Sequence, residues 1–343
     1  MKNPISLLLK INVIILLVLV TSACSNKTQT VKVGLLLPTL SEARFKEDLK
    51  EIEAYVKKEK GELVYRQADN NEQKQIIQGE EILNEGVDVL IVMCVNKITA
   101  TTIVRSAQEK GIKVVAYDRI ISNCDLDCFV SFDNVKVGEL MAQYAVKEKP
   151  GGEYIILNGD KRDQNAIWVK EGFHNVIDKY IEDGSIDVLY ETFIEDWSKD
   201  HAYFEMTQVV NSIVKSPDAI LSAYDGLSTG AINALAPLNL EIYPVVTGQN
   251  AEPDACRDIM KGKQTMTIYK PIRLEAENAV KVSMQFARNE KIDFDKFVNN
   301  GYKEVPSILI EPISVDKSNL MSTVVADGFV KEEELLVGDA IID

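Results

Sequence analysis

Histidine and tryptophan are scarce in this chain: its 343 residues include only two of each. Both histidines, His174 and His201, lie in segments with a helical pattern, where structural roles at or near the surface are the simplest interpretation. Imidazole is a common metal ligand and general base in proteins, and this chain offers little of it. The sequence predicts neither a metal site nor a cofactor.

Cysteine is also scarce, with five residues in all. Cys94 lies inside the apolar run Val87–Val95, and we expect it to be a buried small hydrophobe. Cys124 and Cys128 flank a short loop, where they either form a local disulfide, as an exported protein allows, or remain two thiols. Their spacing does not decide between the two. A zinc ion would need two further ligands that the sequence does not offer there.

Positive charge is in deficit. The chain has 38 Lys and Arg against 53 Asp and Glu, a formal net charge of −15. Nucleic-acid binding needs clustered Lys and Arg for phosphate contacts, so this function is excluded. A DNA-binding repressor is excluded as well, because no helix-turn-helix pattern precedes Val31. The acidity favours solubility and carries no information about the fold.

The apolar run Ile11–Val20 follows Lys2 and Lys10 near the start of the chain. It is too short for a membrane-spanning helix, which needs about 20 apolar residues. An apolar core of this length with small residues at its end is typical of a secretory signal. We therefore predict a signal peptide over residues 1–23.

Cys24 directly follows the small residues Thr21-Ser22-Ala23. This arrangement resembles the lipobox of bacterial lipoproteins, in which the cysteine is lipid-modified and becomes the first residue of the mature chain. The resemblance implies lipidation of Cys24, a tether over residues 24–30 and a location on the extracytoplasmic face of the cell membrane. An ordinary cleaved signal with an incidental cysteine is the alternative.

Strand and helix patterns alternate from Val31 onward. Segment 42–60 shows the helical spacing, with Leu49, Ile52 and Val56 on one face. Runs that are apolar throughout are typical of parallel strands covered on both faces. The predicted strands are 31–37, 63–67, 87–95, 112–117, 128–132, 153–157, 187–193, 219–223, 243–247 and 265–269, and the predicted helices are 42–60, 72–84, 101–110, 135–149, 165–180, 199–214, 229–235, 253–261 and 274–290.

The alternation of strand and helix patterns starts again after Pro150-Gly151-Gly152. This predicts an α/β protein of two similar lobes with parallel sheets. Helix 274–290 has no further strand to lead into within the second lobe, so we expect the chain to cross back there. The predicted division is 31–134 plus 273–306 for the first lobe and 135–272 plus 307–343 for the second.

Polar side chains follow one predicted strand after another. In open α/β sheets, ligands bind beyond the carboxyl ends of the strands, so these side chains are expected to share one crevice. For any one of them alone, helix capping is the better explanation, and Trp197 could cover its own lobe. As a set they suit an uncharged, polyhydroxylated ligand, with Phe45 and Trp197 stacking on its apolar faces. The candidate residues are Arg44, Phe45, Asp118, Arg119, Asp163, Asn165, Trp197, Tyr224, Asn250 and Lys270.

Several sequence strings resemble the D-xylose-binding proteins of bacterial ABC transporters, which have the type 1 periplasmic-binding-protein fold. The resemblance covers Val31 to about Glu334. It implies two Rossmann-like lobes, three crossovers in a hinge, and closure around one sugar. The strings are Ala116-Tyr117-Asp118-Arg119, Ser131-Phe132-Asp133-Asn134, Val137-Gly138-Glu139-Leu140, Gly248-Gln249, Gln264 to Ile272, and Val305-Pro306-Ser307.

The resemblance also implies ligand roles for eight positions, and two further positions depart from the family. Phe45 stands where the family usually carries Trp, and the substitution keeps a stacking ring. Tyr224 stands where the family has Asn, and Asn250 where it has Asp. The change from Asp to Asn250 removes an ionised acceptor, whose hydrogen bond contributes about 1.5–3 kcal/mol. The positions carried over are Arg44, Phe45, Asp118, Arg119, Asp163, Asn165, Trp197 and Lys270.

Capture of a pentose, D-xylose by the resemblance, is the predicted function, with a membrane attachment through Cys24. The predicted partner is an ABC permease. The alternative is the sensor domain of a membrane histidine kinase, and the departures at Tyr224 and Asn250 point toward such a specialised, non-transport copy. A glycosidase using Asp118 and Asp163 as paired carboxylates is the enzymatic alternative. The stacking residues and the resemblance give both acids a simpler role, so we predict that the protein is not an enzyme.

Overall fold

The computed structural model describes residues 30–212 and 216–336. The predicted signal peptide, Cys24 and nearly all of the tether lie outside the described residues. Within the described ranges, no helix combines the length and the apolar character that crossing a membrane requires.

Strands and helices alternate through most of this length, as the sequence predicts. The strands are β1 (Lys32–Leu37), β2 (Glu62–Gln67), β3 (Val89–Val92), β4 (Lys113–Tyr117), β5 (Cys128–Phe132), β6 (Gly152–Asn158), β7 (Ile186–Phe193), β8 (Ala219–Ser222), β9 (Val245–Val246), β10 (Met266–Tyr269), β11 (Lys296–Asn299), β12 (Glu304–Ile310) and β13 (Ile313–Asp316). The helices are α1 (Ala43–Lys58), α2 (Glu72–Asn84), α3 (Thr101–Glu109), α4 (Asn134–Glu148), α5 (Gln164–Glu182), α6 (Lys199–Ser212), α7 (Asp225–Leu235), α8 (Pro253–Lys261), α9 (Ile272–Ala287) and α10 (Glu332–Leu336).

The first lobe contains a seven-stranded sheet in the order β11-β12-β5-β4-β3-β1-β2. Every pair is parallel except β11 with β12. Side chains of β1 alternate between two cores: Leu36 packs with residues of α2 and α3, whereas Leu35 and Leu37 pack with residues of α1 and α9. Because helices cover both faces, the strands are apolar throughout.

The second lobe contains a four-stranded parallel sheet in the order β7-β6-β8-β9. Helices α4 and α5 cover one face and α6 and α7 the other. Helices α4 and α5 approach closely at Gly138 and Gly172, where a Cβ on Gly172 would lie 2.1 Å from the carbonyl oxygen of Val135. Strands β10 and β13 form a small antiparallel pair beside this sheet.

The chain passes between the lobes three times, which confirms the predicted two-lobed architecture with a three-segment hinge. It leaves the first lobe after β5, returns between β10 and α9, and leaves again between β12 and β13. The first return carries Lys270 and Pro271, and the last crossing carries Glu311 and Pro312. The carboxyl ends of β4, β6, β8 and β10 thereby meet the same crevice between the lobes.

The lobe boundary predicted at residue 306 is wrong. Strand β12 extends to Ile310, and Ser307–Ile310 pair in parallel with Phe129–Phe132 of β5. Residues 307–310, predicted for the second lobe, therefore belong to the first sheet. The strand ends before Pro312, which lacks the N–H that a further ladder bond would need.

Four cysteines fall within the described residues, and all four are buried free thiols. Of the two possibilities for Cys124 and Cys128, the structure has unpaired thiols. Cys94 is 1% exposed and packs in the core of the first lobe, which confirms its prediction as a buried small hydrophobe. Burial raises the pKa of each of these thiols, so none is an activated nucleophile.

Candidate functional site

All ten candidate residues line one cavity between the lobes, with about 430 Å³ of empty space including the part open to solvent. Most of them are buried, and Asp118, Asp163, Asn165 and Lys270 are each no more than 5% exposed. Glu42 and Gln249 complete the lining and were not among the predicted residues. The structure therefore brings all ten candidates together in one cavity, and their role in ligand binding stays a prediction.

Helix α1 presents Arg44 to the cavity from the first lobe. Its guanidinium Nη2 donates to Asp118 Oδ1 and to Glu275 Oε2, both at 3.0 Å, and Nε lies 3.4 Å from Asp48 Oδ2. Tyr117 Oη donates to the other oxygen of Asp48 at 2.5 Å. One cation thus joins three buried carboxyl groups, from α1, the end of β4 and the first turn of α9.

Burial and charge act in opposite directions on this cluster. Burial opposes the ionisation of Asp118, but Arg44, Lys270 and Arg119 outweigh it and hold the pKa of that carboxyl below its ordinary value. Burial, followed by repulsion from Asp118, raises the pKa of Glu275 well above its ordinary value. Asp118 is therefore an ionised acceptor, whereas burial favours the protonated form of Glu275.

Lys270 lies on the hinge segment after β10. Burial and then repulsion from Arg44 lower the pKa of its ammonium to about 8, although Asp118 and Glu275 act against this shift. The ammonium lies 5.8 Å from the centre of the Phe132 ring. At neutral pH it is a charged donor with few protein acceptors, which suits it to bond a ligand hydroxyl.

Asp118 and Arg119 form the bend that follows β4. Asp118 has a left-handed backbone (φ 58°), and its carbonyl oxygen accepts hydrogen bonds from Ser131 Oγ (2.9 Å) and Asn165 Nδ2 (3.0 Å). Arg119 Nε lies 3.0 Å from Asp163 Oδ2, and its guanidinium carbon lies 5.6 Å from the centre of the Phe45 ring. Asn165 and Asp163 belong to the second lobe, so these contacts join the two lobes directly.

The second lobe presents the start of α5. Asp163 is the N-cap of this helix and accepts the backbone N–H of Asn165 at 2.9 Å. Helix capping and cavity lining are thus both true of Asp163, and the two interpretations do not exclude each other. Burial raises the pKa of Asp163, and Arg119 opposes the shift. Asn165 Oδ1 also accepts from Asn134 Nδ2 at 3.0 Å, which fixes its amide.

Two aromatic side chains meet on the second-lobe wall. The rings of Trp197 and Tyr224 pack edge to face, with centroids 6.1 Å apart and planes at 87°. Tyr224 Oη donates to Glu252 Oε1 at 2.5 Å, so Glu252 fixes the direction of its ring. Trp197 also packs on both cores of its own lobe, and Phe45 contributes to the core of the first lobe. Each stacking candidate thus has a packing role as well.

Several polar atoms of the cavity residues have no hydrogen-bond partner among the described residues. Apart from Arg119 Nε, which lies 3.0 Å from its ionic partner Asp163, they are Trp197 Nε1, Gln249 Oε1 and Asn250 Oδ1, all buried. Buried polar atoms are nearly always paired, so three such atoms on one cavity are unusual for protein packing alone. Together they supply one donor and two acceptors.

Metal binding has no structural support in the described part of the chain. No group of three His, Cys, Asp or Glu side chains in residues 30–212 and 216–336 has an arrangement that could hold an ion. The cavity instead offers carboxylates, amides, cations and rings side by side. This chemistry suits a neutral ligand that both donates and accepts hydrogen bonds.

Residues 33–291 match the family described as periplasmic binding protein domain. A D-xylose-binding periplasmic protein of Haemophilus influenzae is 36% identical over 312 residues, which cover 91% of this chain and 94% of that protein. Its counterpart in Escherichia coli is 37% identical over 308 residues, covering 89% and 92%. An ABC transporter solute binding protein from Clostridium phytofermentans, solved with bound β-D-glucose, matches with a TM-score of 0.84 at 28% identity, covering 89% of this chain and 99% of that chain. The chain belongs to the periplasmic binding protein family.

Proposed function

We propose that this protein captures a pentose, D-xylose, in the cavity between its lobes and delivers it to an ABC permease. The observation that carries the proposal is the convergence of Asp118, Asp163, Asn165 and Lys270 with two aromatic rings in one buried cavity. Its relatives are sugar-binding transport proteins, and this chain is likewise a binding protein rather than an enzyme.

Closure of the lobes is part of the proposed mechanism. The Arg119–Asp163 pair and the bond from Asn165 to the Asp118 carbonyl both cross the crevice. A sugar that bonds to residues of both lobes binds the closed form better than the open one, and it shifts the population toward closure by that difference. The closed surface is then what the permease recognises.

D-Xylose is favoured over other sugars by the two relatives that are named for it. The departures at Tyr224 and Asn250 bear on this choice. The Tyr224 hydroxyl donates its hydrogen bond to Glu252, so Tyr224 offers the ligand mainly an aromatic surface. Asn250 keeps an unpaired acceptor at its position, although a weaker one than a carboxylate. We therefore expect D-xylose to bind with an affinity that these two residues modulate.

The place of action remains part of the proposal. Periplasmic binding proteins act outside the cytoplasm, and the predicted signal peptide and lipidated Cys24 would hold this one at the extracytoplasmic face of the membrane. The histidine-kinase partner is the weaker alternative, because the relatives described above favour transport.

Calorimetric titration tests the proposal. The chain from Ser25 onward is titrated with D-xylose, and separately with ribose, arabinose and glucose. We expect one site per chain and the tightest binding for D-xylose, with no heat for an Asp118→Ala variant. Asp187→Ala is the control, since Asp187 is an exposed acid on β7 away from the cavity. Failure of all four sugars to bind the unmodified chain would refute the proposed function.

A further inference from the structure

The turn that carries Trp197 has an unfavourable backbone. Asp196 and Trp197 are consecutive residues in the left-handed region, with φ of 58° and 53°. Side chains with a Cβ are disfavoured there, because the Cβ approaches the following carbonyl oxygen. Neither residue is glycine, so other contacts have to hold this conformation.

Asp160 supplies those contacts from the loop after β6. Its Oδ2 accepts the backbone N–H of Asp196 at 2.7 Å, and its Oδ1 accepts the backbone N–H of Arg162 at 2.8 Å. The Arg162 guanidinium bonds to both carboxylate oxygens of Asp160 and continues to the carboxylate of Asp196. We call Asp160, Arg162 and Asp196 the turn clamp.

The turn clamp is built around Asp160. Asp160 is 5% exposed, while the side chains of Arg162 and Asp196 are 38% and 50% exposed. Burial opposes ionisation of Asp160, but the bonds from Arg162 and the two backbone N–H groups hold its pKa below the ordinary value. It is therefore an ionised acceptor whose bonds go to the turn. It lines a neighbouring cavity that shares Arg119, Asp163 and Trp197 with the sugar cavity, and it is not among the residues lining the sugar cavity itself.

Gly159 fixes where the indole can lie. A Cβ at this position would be 2.1 to 2.3 Å from three carbon atoms of the Trp197 ring. The ring therefore lies directly against the backbone at the end of β6. Only glycine leaves that space, so the clamp and Gly159 together determine the ring position from two sides.

The loop after β6, which carries Asp160 and Arg162, also contacts the first lobe. The backbone N–H of Lys97 donates to the carbonyl of Arg162 at 3.4 Å, and Lys97 Nζ donates to Gln164 Oε1 at 2.8 Å. The residues that hold the Trp197 turn are thus also at the surface that the first lobe meets on closure. The position of the Trp197 ring and the contact with Lys97 of the first lobe therefore both depend on the loop after β6.

We propose that Asp160 is a positioning residue for sugar binding: it holds the left-handed turn at Asp196 and so sets Trp197 in the cavity, without touching the ligand. The proposal rests on the proposed function for its effect on sugar affinity, but not for its effect on the indole. Loss of the Asp160 carboxylate leaves the backbone N–H of Asp196 without its acceptor and Arg162 without its buried partner, and the Trp197 ring then samples positions outside the cavity.

Fluorescence of Trp197 tests this directly. Trp168→Phe removes the only other tryptophan of the chain and keeps a ring against Phe129. In this background, Asp160→Ala should shift the sugar-free emission to longer wavelength and raise its quenching by acrylamide. The dissociation constant for D-xylose should rise about tenfold or more, as for loss of a well-placed aromatic anchor. At saturating D-xylose the emission should return to that of the background protein, because the ligand itself orders the ring.

Three further variants separate positioning from general damage. Asp160→Asn keeps an acceptor for the Asp196 N–H and should recover most of the affinity. Gly159→Ala should displace the ring while leaving Asp160 intact, and it should weaken binding in the same way. Asp183→Ala is the matched control, since Asp183 accepts the Ser185 N–H at 2.9 Å in a similar turn at the far end of α5.

Two results would overturn the proposal. One is unchanged emission and quenching in Asp160→Ala. The other is an equal loss of affinity in Asp160→Ala and Asp183→Ala with equal loss of thermal stability, which would mark a purely structural role. If the background protein binds none of the sugars, the proposed function fails, and the sugar-free emission and quenching still decide the role of Asp160.

Discussion

Replacing Arg44 by Met should destabilise the first lobe strongly. Arg44 is buried and is the shared partner of Asp48, Asp118 and Glu275, all in that lobe. Removing one partner of a buried ion pair costs about 3–5 kcal/mol, because the remaining charge stays buried and unpaired. The loss comes mainly from Asp118, because it is the one of the three acids whose pKa is lowered, whereas burial raises the pKa values of Asp48 and Glu275.

The sign of the pH dependence follows from the same contacts. In the unmodified chain Arg44 lowers the pKa of Asp118, so the ion pair stabilises the fold above the unfolded pKa of that acid and this stabilisation is lost as pH falls. Without Arg44, the folded pKa values of Asp118 and Asp48 rise, and the two acids then destabilise the fold increasingly as pH rises through those values. The cost of Arg44→Met should therefore be smaller in acid than at neutral pH.

Urea denaturation of both proteins at about pH 5.5 and about pH 7.5 measures this difference. Tyrosine and tryptophan signals should be followed separately, since the two lobes need not unfold together. Arg105→Met serves as the control, because Arg105 is an exposed arginine on α3 of the same lobe. An Arg44→Met variant no less stable than this control, or one with the same loss at both pH values, would refute the reasoning.

Other expectations concern the ligand and the anchor. Asp163→Ala should abolish sugar binding in calorimetry, because the acid lines the cavity and pairs with Arg119 across it; near-normal heats would place the site elsewhere. With the pKa of Lys270 at about 8, sugar affinity should fall as pH rises through that value and the ammonium loses its proton. A Lys270→Met variant should bind the sugar weakly, and its affinity should not fall near pH 8. If its affinity still falls there, another group is responsible for the pH dependence. Labelled palmitate should enter the unmodified chain in cells but not Cys24→Ala, and equal labelling would disprove the anchor.

The fold could be predicted where each element satisfies a local rule. Strand β5 and helix α2 have the predicted bounds, because an apolar run and a helical face each end at clear polar residues. The run Val87–Val95 predicts a longer strand than the observed Val89–Val92, because Met93 and Cys94 are buried in the two cores of the first lobe beyond the end of the strand. Strand β12 was missed as a strand, since Pro306 interrupts its pattern, and the boundary error at residue 306 followed from this.

The cavity could be predicted because strand order brings the carboxyl ends of strands together whatever the intervening sequence. The buried carboxyl groups that pair with Arg44 could not all be predicted in this way. Glu275 lies 231 residues from Arg44, in the first turn of a helix that returns from the second lobe, and no local pattern marks it. Glu42 lies two residues before the predicted Arg44, and Gln249 adjoins the predicted Asn250 and belongs to the string Gly248-Gln249 that carries the resemblance.

Because the chain crosses the hinge three times, the two lobes are completed at different points along the chain. The second lobe from α4 to β10 is one continuous stretch, whereas the first sheet is finished only by β11 and β12, from residues 296 to 310. Until those residues are available, one edge of β5 has no strand beside it, and an open apolar edge invites pairing with other chains. A nascent or truncated chain that stops before Ile310 should therefore aggregate through β5, even though its second lobe already contains every strand of its main sheet.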